Sequence, residues 1–379
     1  MGIKHDDIFE QQQNDNELEL TKMNEISPYF KVVETESRGR GCFATKRISK
    51  DTLVLKCLRP LSSTVVKPFK KEVCQWCFHY DRGNNMKFKL SNSTKGNFSI
   101  FFCSQVCLDE FKKDDYQSIY LNNLIVIEKF FANLKQDNNQ ETEIKLTSKE
   151  DIDNAWKDVE IWESNLPLKE SKRLNHLPEF DSDDNNDVYV ELKYLSGILF
   201  QLYKSQILET DITFMNLELE NFQLLQSNEY SKCLKYPYLL QKFIKIYKFV
   251  KILFPAEFQF LVNTKFIRSA IGKELGNAFG IWSKEEGSNE FQEYFGYSVY
   301  PSASFFNHSC SPNLKRERIG NTLIFKTITD IEKNQELCIN YGYNLNGDLL
   351  KRQSSLKEWF FDCNCNRCER EKFGNGIIE

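Results

Sequence analysis

What most constrains the fold of this chain is where its cysteines stand. Of the twelve, four are set as Cys74-x2-Cys77 and, after a gap of 25 residues, Cys103-x3-Cys107. Three more form Cys363-x-Cys365-x2-Cys368 near the C-terminal end. No secretory signal precedes them, so these thiols are expected to be metal ligands before disulfides. Zinc takes four soft or borderline donors at tetrahedral corners, and two short knuckles deliver them in pairs. Cys74, Cys77, Cys103 and Cys107 therefore complete one structural zinc site. The chain between the knuckles must fold back on itself to bring them together. His79 follows the first knuckle closely, but with four cysteines already present it reads as a surface side chain.

The second group offers only three ligands, and a structural zinc site with an open corner would be unusual. The fourth has to come from elsewhere, and Cys310, inside the dense polar octet FNHSCSPN (306–313), is the candidate. If it fills that corner, the metal staples the tail onto a segment 53 residues upstream and brings Trp359, Phe360 and Phe361 beside Asn307 and His308. The remaining Cys42, Cys57, Cys233 and Cys338 stand singly in apolar contexts and read as buried small hydrophobes.

Around the cysteines the pattern changes along the chain. Residues 1–27 are polar, rich in Asn and Gln, and read as a disordered lead-in. The runs FKVVE, GCFAT and TLVLKC, between turn signals such as SRGRG and SKD, read as small antiparallel strands from Tyr29 to Val66. From Tyr116 to Phe279 the apolar spacing turns to threes and fours, as in YQSIYLNNLIVIEKFFANL and VYVELKYLSGILFQLYKSQIL, which predicts helices. KQDNNQETE and DSDDNND interrupt that region as surface loops. From Tyr297 onward, GYSVYP, NTLIFKTI and ELCINY again read as strands.

Composition excludes some function classes. The 379 residues suffice for two or three domains. Fifty basic against 54 acidic side chains give a net charge of −4, which lacks the electrostatic footprint of phosphate-backbone binding. Nucleic acid is not expected as a direct ligand. YKFVKILFPAEFQFLV (247–262) carries Lys248, Lys251, Glu257 and Pro255, so it reads as a core helix ending near the proline and not as a bilayer span. MGIKHD lacks the Ser or Thr at position 6 that a myristoylation site needs.

RGRGCFA (38–44), NHSC (307–310), ELCINYGY (336–343) and FDCNCNRC (361–368), in this order and spacing, resemble the SET-domain protein lysine methyltransferases. The cysteine module inserted after the first strands is similar to that of the SET and MYND (SMYD) family, and the resemblance covers about residues 29–370. It implies an α+β architecture: a β-rich SET fold with a pseudoknot-like core, interrupted by a small MYND-like zinc module and a helical insert, and closed by a cysteine-rich post-SET zinc segment. The expected divisions are 28–66 for the N-terminal part of the SET domain, 67–115 for the zinc module and 116–265 for the insert. The SET core follows at 266–345, the post-SET segment at 346–370 and a tail at 371–379.

The resemblance also implies residue roles. Arg38, Gly39 and Arg40 look like the turn whose backbone approaches the methionine end of S-adenosylmethionine, where a residue without Cβ permits close approach. WESNL resembles the helical-insert motif that offers Asn165 to the nucleotide moiety. GNAFGI places Asn277 at the cofactor and Phe279 in the lysine channel. Asn307 and His308 would hold the cofactor, Phe361 would pack on adenine, and Tyr341 would stand where methyl donor and lysine meet. Trp359 stands where the family usually places a channel tyrosine. The implied reaction is an in-line displacement by a neutral lysine amine. Deprotonating a lysine of pKa about 10.4 at pH 7 costs roughly 4 to 5 kcal/mol, and a narrow aromatic channel lowers that cost by desolvating the ammonium. No metal is needed for this step, so both zincs, held by Cys74, Cys77, Cys103 and Cys107 and by Cys310, Cys363, Cys365 and Cys368, are expected to be structural.

The chain departs from the family in lacking the middle cysteine pair and late His/Cys of a full MYND module, and it stops at Glu379, short of the helical C-terminal domain of longer relatives. One zinc is therefore expected in the module and a more open substrate cleft. The expected partner is a protein substrate presenting a lysine, histone or otherwise, with a peptide partner at the zinc module left open. A monomer away from membranes, in the cytoplasm or nucleus, is expected. The alternative is a catalytically inactive SET-fold protein acting through its zinc module; the retention of Tyr341, Asn307 and the glycine turn favours the enzyme.

Overall fold

The first strands fold as their alternation predicts. β1 (Phe30–Thr35) and β2 (Gly39–Ala44) pair antiparallel, Thr35 opposite Gly39 and Phe30 opposite Ala44, with the inward Phe30, Val32, Cys42 and Ala44 buried. The computed structural model describes residues 24–35, 38–91, 98–132, 148–180, 185–207, 213–283, 292–342, 347–357 and 361–373. β12 (Glu336–Ile339) lies against the other edge of β2, antiparallel, and next to it β9 (Asn307–His308) runs parallel, Cys338 beside Asn307 and Ile339 beside His308. A parallel pair needs a crossover. Here the intervening hairpin of β10 (Leu314–Ile319) and β11 (Thr322–Thr327) supplies it, joining β3 (Leu53–Cys57) in a second sheet. Chain segments from opposite ends of the sequence thus interlock, and the NHSC and ELCINY motifs become neighbours.

The segment that carries the first cysteine group is a hairpin, β5 (Phe88–Ser91) with β6 (Ser99–Phe102), followed by α1 (Gln105–Asp114). Phe102, Leu108 and Phe111 are buried in a small cluster of their own with Leu121, Leu124 and Ile125 of α2 (Ile119–Ala132). The insert continues through α3 (Lys149–Ser164), α4 (Asn185–Ile207), α5 (Thr213–Leu224), α6 (Glu229–Lys235), α7 (Tyr238–Leu253) and α8 (Thr264–Glu274). α4 is the hub: it packs on α2 and on β4 (Ser62–Val65), with Ser62 Oγ donating to Tyr194 O at 2.8 Å. α7 stops before Pro255, as its sequence requires. Among the described residues, no helix is long and apolar enough to cross a membrane.

Two expectations are corrected. The helical region does not reach Phe279: after α8 and the turn Leu275–Asn277, the segment Ala278–Trp282 is β7, pairing with β8 (Tyr294–Val299). The run AFGIW is short, with an aromatic and a β-branched residue, and it completes the sheet β4-β8-β7. Of DSDDNND, the last three residues form the start of α4, and the others lie outside the described residues, as does KQDNNQETE. The polar start costs little there, because Asn and Asp suit a helix N-terminus.

Candidate functional site

Both cysteine groups assemble. The sulfurs of Cys74, Cys77, Cys103 and Cys107 all lie within 4.8 Å of one another, as do those of Cys310, Cys363, Cys365 and Cys368. Four sulfurs bound to one zinc at about 2.3 Å would stand ~3.8 Å apart. The described separations are 3.5 Å for Cys77 to Cys103, 3.6 Å for Cys103 to Cys107, 3.9 Å for Cys310 to Cys363 and 3.6 Å for Cys368 to Cys310. All twelve cysteines are free of disulfides. In donor type and spacing both clusters fit a tetrahedral metal ion. Backbone geometry prepares the first: Phe78 N donates to Cys74 O at 3.0 Å, Cys74 N to His79 O at 2.9 Å, and Phe78 takes a φ of 61°. Ser104 caps α1 by accepting from Cys107 N at 3.2 Å, which sets Cys107 in the first turn near Cys103. His79 is exposed and stays out of the cluster. In the second cluster Gln353 of α9 (Leu349–Leu356) grips the backbone of Cys363 reciprocally, at 2.7 and 3.0 Å. Donation from the Cys363 thiol and from backbone N–H groups holds the Cys365 thiol well below its ordinary pKa, while the Cys363 thiol is pushed up.

The tail so anchored meets the glycine turn and the paired strands. Asn307 Nδ2 donates to Arg40 O at 3.1 Å and to Glu336 Oε1 at 2.9 Å, and Glu336 pairs with Arg38 at 2.8 Å. The Arg40 guanidinium lies 5.3 Å over the Phe305 ring and donates to Leu224 O. The two glycines serve different ends. Gly39 has a φ of 65° and is exposed, and among the described residues only Gln226 Oε1, at 3.9 Å, comes near where a Cβ would stand. A Cβ on Gly41 would come within 2.6 Å of Glu336 Oε1 and 2.8 Å of Asn307 Nδ2. The second glycine is thus required by protein packing, and the first leaves an open backbone edge.

His308 is buried; its Nδ1 accepts from Tyr341 N at 3.2 Å and its Nε2 lies 3.4 Å from Cys310 Sγ. Burial pushes its pKa down to about 4, so the ring is neutral, with its proton on Nε2 facing the sulfur. The rings of His308, Tyr341 and Phe361 gather at 5.3 to 6.2 Å. On the other side of Tyr341 opens a narrow cleft of about 30 Å³, which Asn277, Phe279, Ser304 and Arg316 also line. The Tyr341 hydroxyl donates to Phe306 O at 3.1 Å, and burial raises the phenol well above its ordinary pKa, so it remains a neutral donor. Phe279 is buried edge-on to Tyr300 and Phe325, with the Arg316 guanidinium 5.4 Å over its ring. The Asn277 amide donates to Lys273 O at 2.7 Å, closing the end of α8.

Arg38, Gly39, Arg40, Asn307, His308, Tyr341 and Phe361 are therefore brought together, with Asn277 and Phe279 at the cleft. Asn165 is not joined to them: it is exposed at the end of α3, where its amide donates to Ile161 O at 2.9 Å. The insert instead meets the glycine turn through the loop after α5, where Gln226 faces Gly39 and Asn228 lies 3.0 Å from a Cβ on Gly276. The polar break QSN after an amphipathic run was the signal for this loop. Trp359 lies outside the described residues. Glu336 and Gln353 also escaped the sequence reading, since an exposed-looking Glu and a mid-helix Gln carry no local mark of what they hold.

A parallel strand pair that carries Asn-His beside a Tyr, a glycine turn across the sheet, and a thiol-anchored tail together define a protein of the SET methyltransferase class. The SET domain family model matches residues 39–342, and the chain belongs to that family. It is 33% identical over 374 residues to the "Potential protein lysine methyltransferase SET6" of Saccharomyces cerevisiae, covering 92% of this chain and 97% of that protein. It is 37% identical over 109 residues to the "Histone-lysine N-methyltransferase ASHR2" of Arabidopsis thaliana, 27% of each chain. It is 32% identical over 102 residues to the "Histone-lysine N-methyltransferase SMYD3" of Homo sapiens, 27% of this chain and 22% of that protein. The last two matches thus span about a quarter of those proteins' length.

Proposed function

We propose that the protein is an S-adenosylmethionine-dependent protein-lysine N-methyltransferase. One observation carries the reading: the Tyr341 hydroxyl stands at a narrow aromatic cleft on one side and its backbone joins the His308, Asn307 and glycine-turn network on the other. The names of the full-length relative and of the shorter matches agree with it. When bound, S-adenosylmethionine supplies the methyl group on a positively charged sulfonium centre. The open backbone edge at Gly39, the Asn307 amide and the Phe361 ring are the groups that would hold it. The cleft walls, Phe279 and Phe306, would exclude water around a lysine side chain, so that the amine loses its proton more readily than in bulk water. Tyr341, held neutral, would orient the amine by accepting or donating at its hydroxyl, with the Phe306 carbonyl fixing the ring's reach. Both thiol clusters are assigned structural zinc. Twelve cysteines without a disulfide among them, eight of them grouped as metal ligands, suit a reducing compartment, the cytoplasm or nucleus. The division at 28–66, 67–115, 116–265, 266–345 and 346–370 is kept as part of this reading, supported by the order of strands, thiol module, helices and strands, with α8 spanning the expected boundary at 265. No observation favours the inactive interaction protein.

The test is Tyr341→Phe. Incubated with labelled methyl donor and a proteome extract, the variant should methylate at least about tenfold more slowly, equivalent to ~1.4 kcal/mol of barrier, with cofactor affinity and zinc content nearly unchanged. Wild-type rates in the variant would refute the placement of Tyr341.

A further inference from the structure

The C-terminal thiol cluster has a buried cation in its shell. Arg352, on α9, is 3% exposed. Its Nη2 lies 3.7 Å from Cys368 Sγ and donates to Glu371 Oε2 at 2.7 Å, while Nη1 donates to Gly347 O at 2.6 Å. Glu371, on α10 (Asn366–Phe373), is shared: its other oxygen accepts from Arg367 Nε at 2.9 Å, and Arg367 in turn reaches Cys310 O at 3.3 Å. One carboxylate thus serves two guanidinium groups. Beside four neutral thiols the buried Arg352 would have the part-exposed Glu371 as its counter-charge and only a weakly polar contact at the sulfur. A divalent ion among four thiolates, by contrast, carries a surplus of two negative charges, and the same arginine becomes its counter-charge. No described hydrogen bond joins a Lys or Arg to the sulfurs of the first cluster.

On the reading that the cluster holds zinc, we infer that Arg352 is a positioning residue whose charge retains the C-terminal metal. It does so by neutralising the tetrathiolate while tying it to Gly347, on the exit from the Tyr341 segment. Among the described residues the first cluster has no such hydrogen-bonded cation, and it serves as an internal control.

The test follows zinc release from the full chain into a chromogenic chelator, with the C-terminal phase identified as the one lost in Cys363→Ser. Arg352→Met, which keeps length and removes charge, should release that zinc roughly tenfold faster, and Arg352→Lys should return it to within about threefold of wild type. Glu371→Gln, which removes the carboxylate and leaves the guanidinium, should also stay within about threefold. The phase from the first cluster should not move in any of them. Wild-type release by Arg352→Met, or release by Arg352→Lys as fast as by Arg352→Met, would overturn the inference. Should Arg352→Met lose both metals by failing to fold, Glu371→Gln decides: acceleration there would mean that the tie to Glu371, and not the charge at the sulfurs, retains the metal. A wild-type chain with no zinc in the C-terminal cluster would instead bring down the parent reading, and this inference with it.

Discussion

Gly41→Ala is the substitution through which the packing of the site can be weighed. The new methyl group would lie 2.6 Å from Glu336 Oε1, 2.8 Å from Asn307 Nδ2 and 3.3 Å from Phe43 Cε2. A carboxylate end can ordinarily swing away, but Glu336 is held by Arg38 at 2.8 Å and by Asn307 at 2.9 Å, and Asn307 is short and fixed on β9 between β12 and the Arg40 carbonyl. Relief therefore means giving up both Asn307 amide bonds. The bond to Arg40 O is neutral and contributes about 1 kcal/mol; the one to the Glu336 carboxylate is charge-assisted and contributes about 1.5 to 3 kcal/mol. The sum is roughly 3 kcal/mol. Residual crowding adds to the loss of stability, and relaxation of the strand subtracts from it. Because Asn307 is also the amide assigned to the cofactor, its affinity should fall by about 10- to 100-fold, or ~1.4 to 2.7 kcal/mol. Isothermal titration with S-adenosylmethionine gives the affinity, and thermal unfolding gives the stability. Glu336→Ala in the Gly41→Ala background should recover part of both losses, a coupling that independent sites would not show. Gly39→Ala should behave differently: its cost comes from a φ of 65°, about 1 kcal/mol, without steric collision. Wild-type affinity and stability in Gly41→Ala would refute the argument that Glu336 and Asn307 are locked against β2.

Metal analysis should return two zinc ions per chain, and Cys310→Ser should lower that to one and weaken cofactor binding, although Cys310 need not touch the cofactor; unchanged zinc would mean another fourth ligand. Asn165→Ala should leave cofactor affinity within about twofold, whereas Gln226→Ala, beside Gly39, should weaken it by several-fold; titration of both variants separates the two ends of the insert. Glu218, buried under the turn at Ser302 and accepting from Ser302 N at 2.9 Å, has its pKa raised by burial from 4.5 to about 7. The folded chain therefore binds a proton that the unfolded chain has released, and stability falls as pH rises from about 4.5 to 7, then stays low. Glu218→Gln should reduce the loss of stability between pH 5 and pH 8 by roughly 2 kcal/mol, measured by thermal unfolding at both pH values; an unchanged loss would show the carboxyl to be hydrated.

The residues read most surely from sequence were those whose chemistry is local. Two-cysteine knuckles announce a tetrahedral metal site because the ligand spacing is set by a few backbone turns, and both clusters assembled from the cysteines named. FKVVE showed its alternation because one face of that strand is buried, and NTLIFKTI showed as an apolar run because Leu323, Ile324 and Phe325 are buried in succession. β10, with the sequence LKRERI, hid because arginines line its inward positions and Arg316 covers Phe279 with its guanidinium, so burial and polarity part company. Asn165 and Gln226 show the same limit in the insert. Helical periodicity tells which face of a helix is buried and says nothing of which helix end returns to the glycine turn, since that depends on how α3, α5 and α8 cross. Legible in the sequence, then, were the two groups of clustered thiols, the motif residues and the kinds of element. Only the tertiary structure decided that Gly41 is required by Asn307 and Glu336, that Arg352 stands among the thiols, and which loop faces the turn. These are contacts between residues far apart in the chain, and their distances are set by packing that no short stretch of sequence encodes.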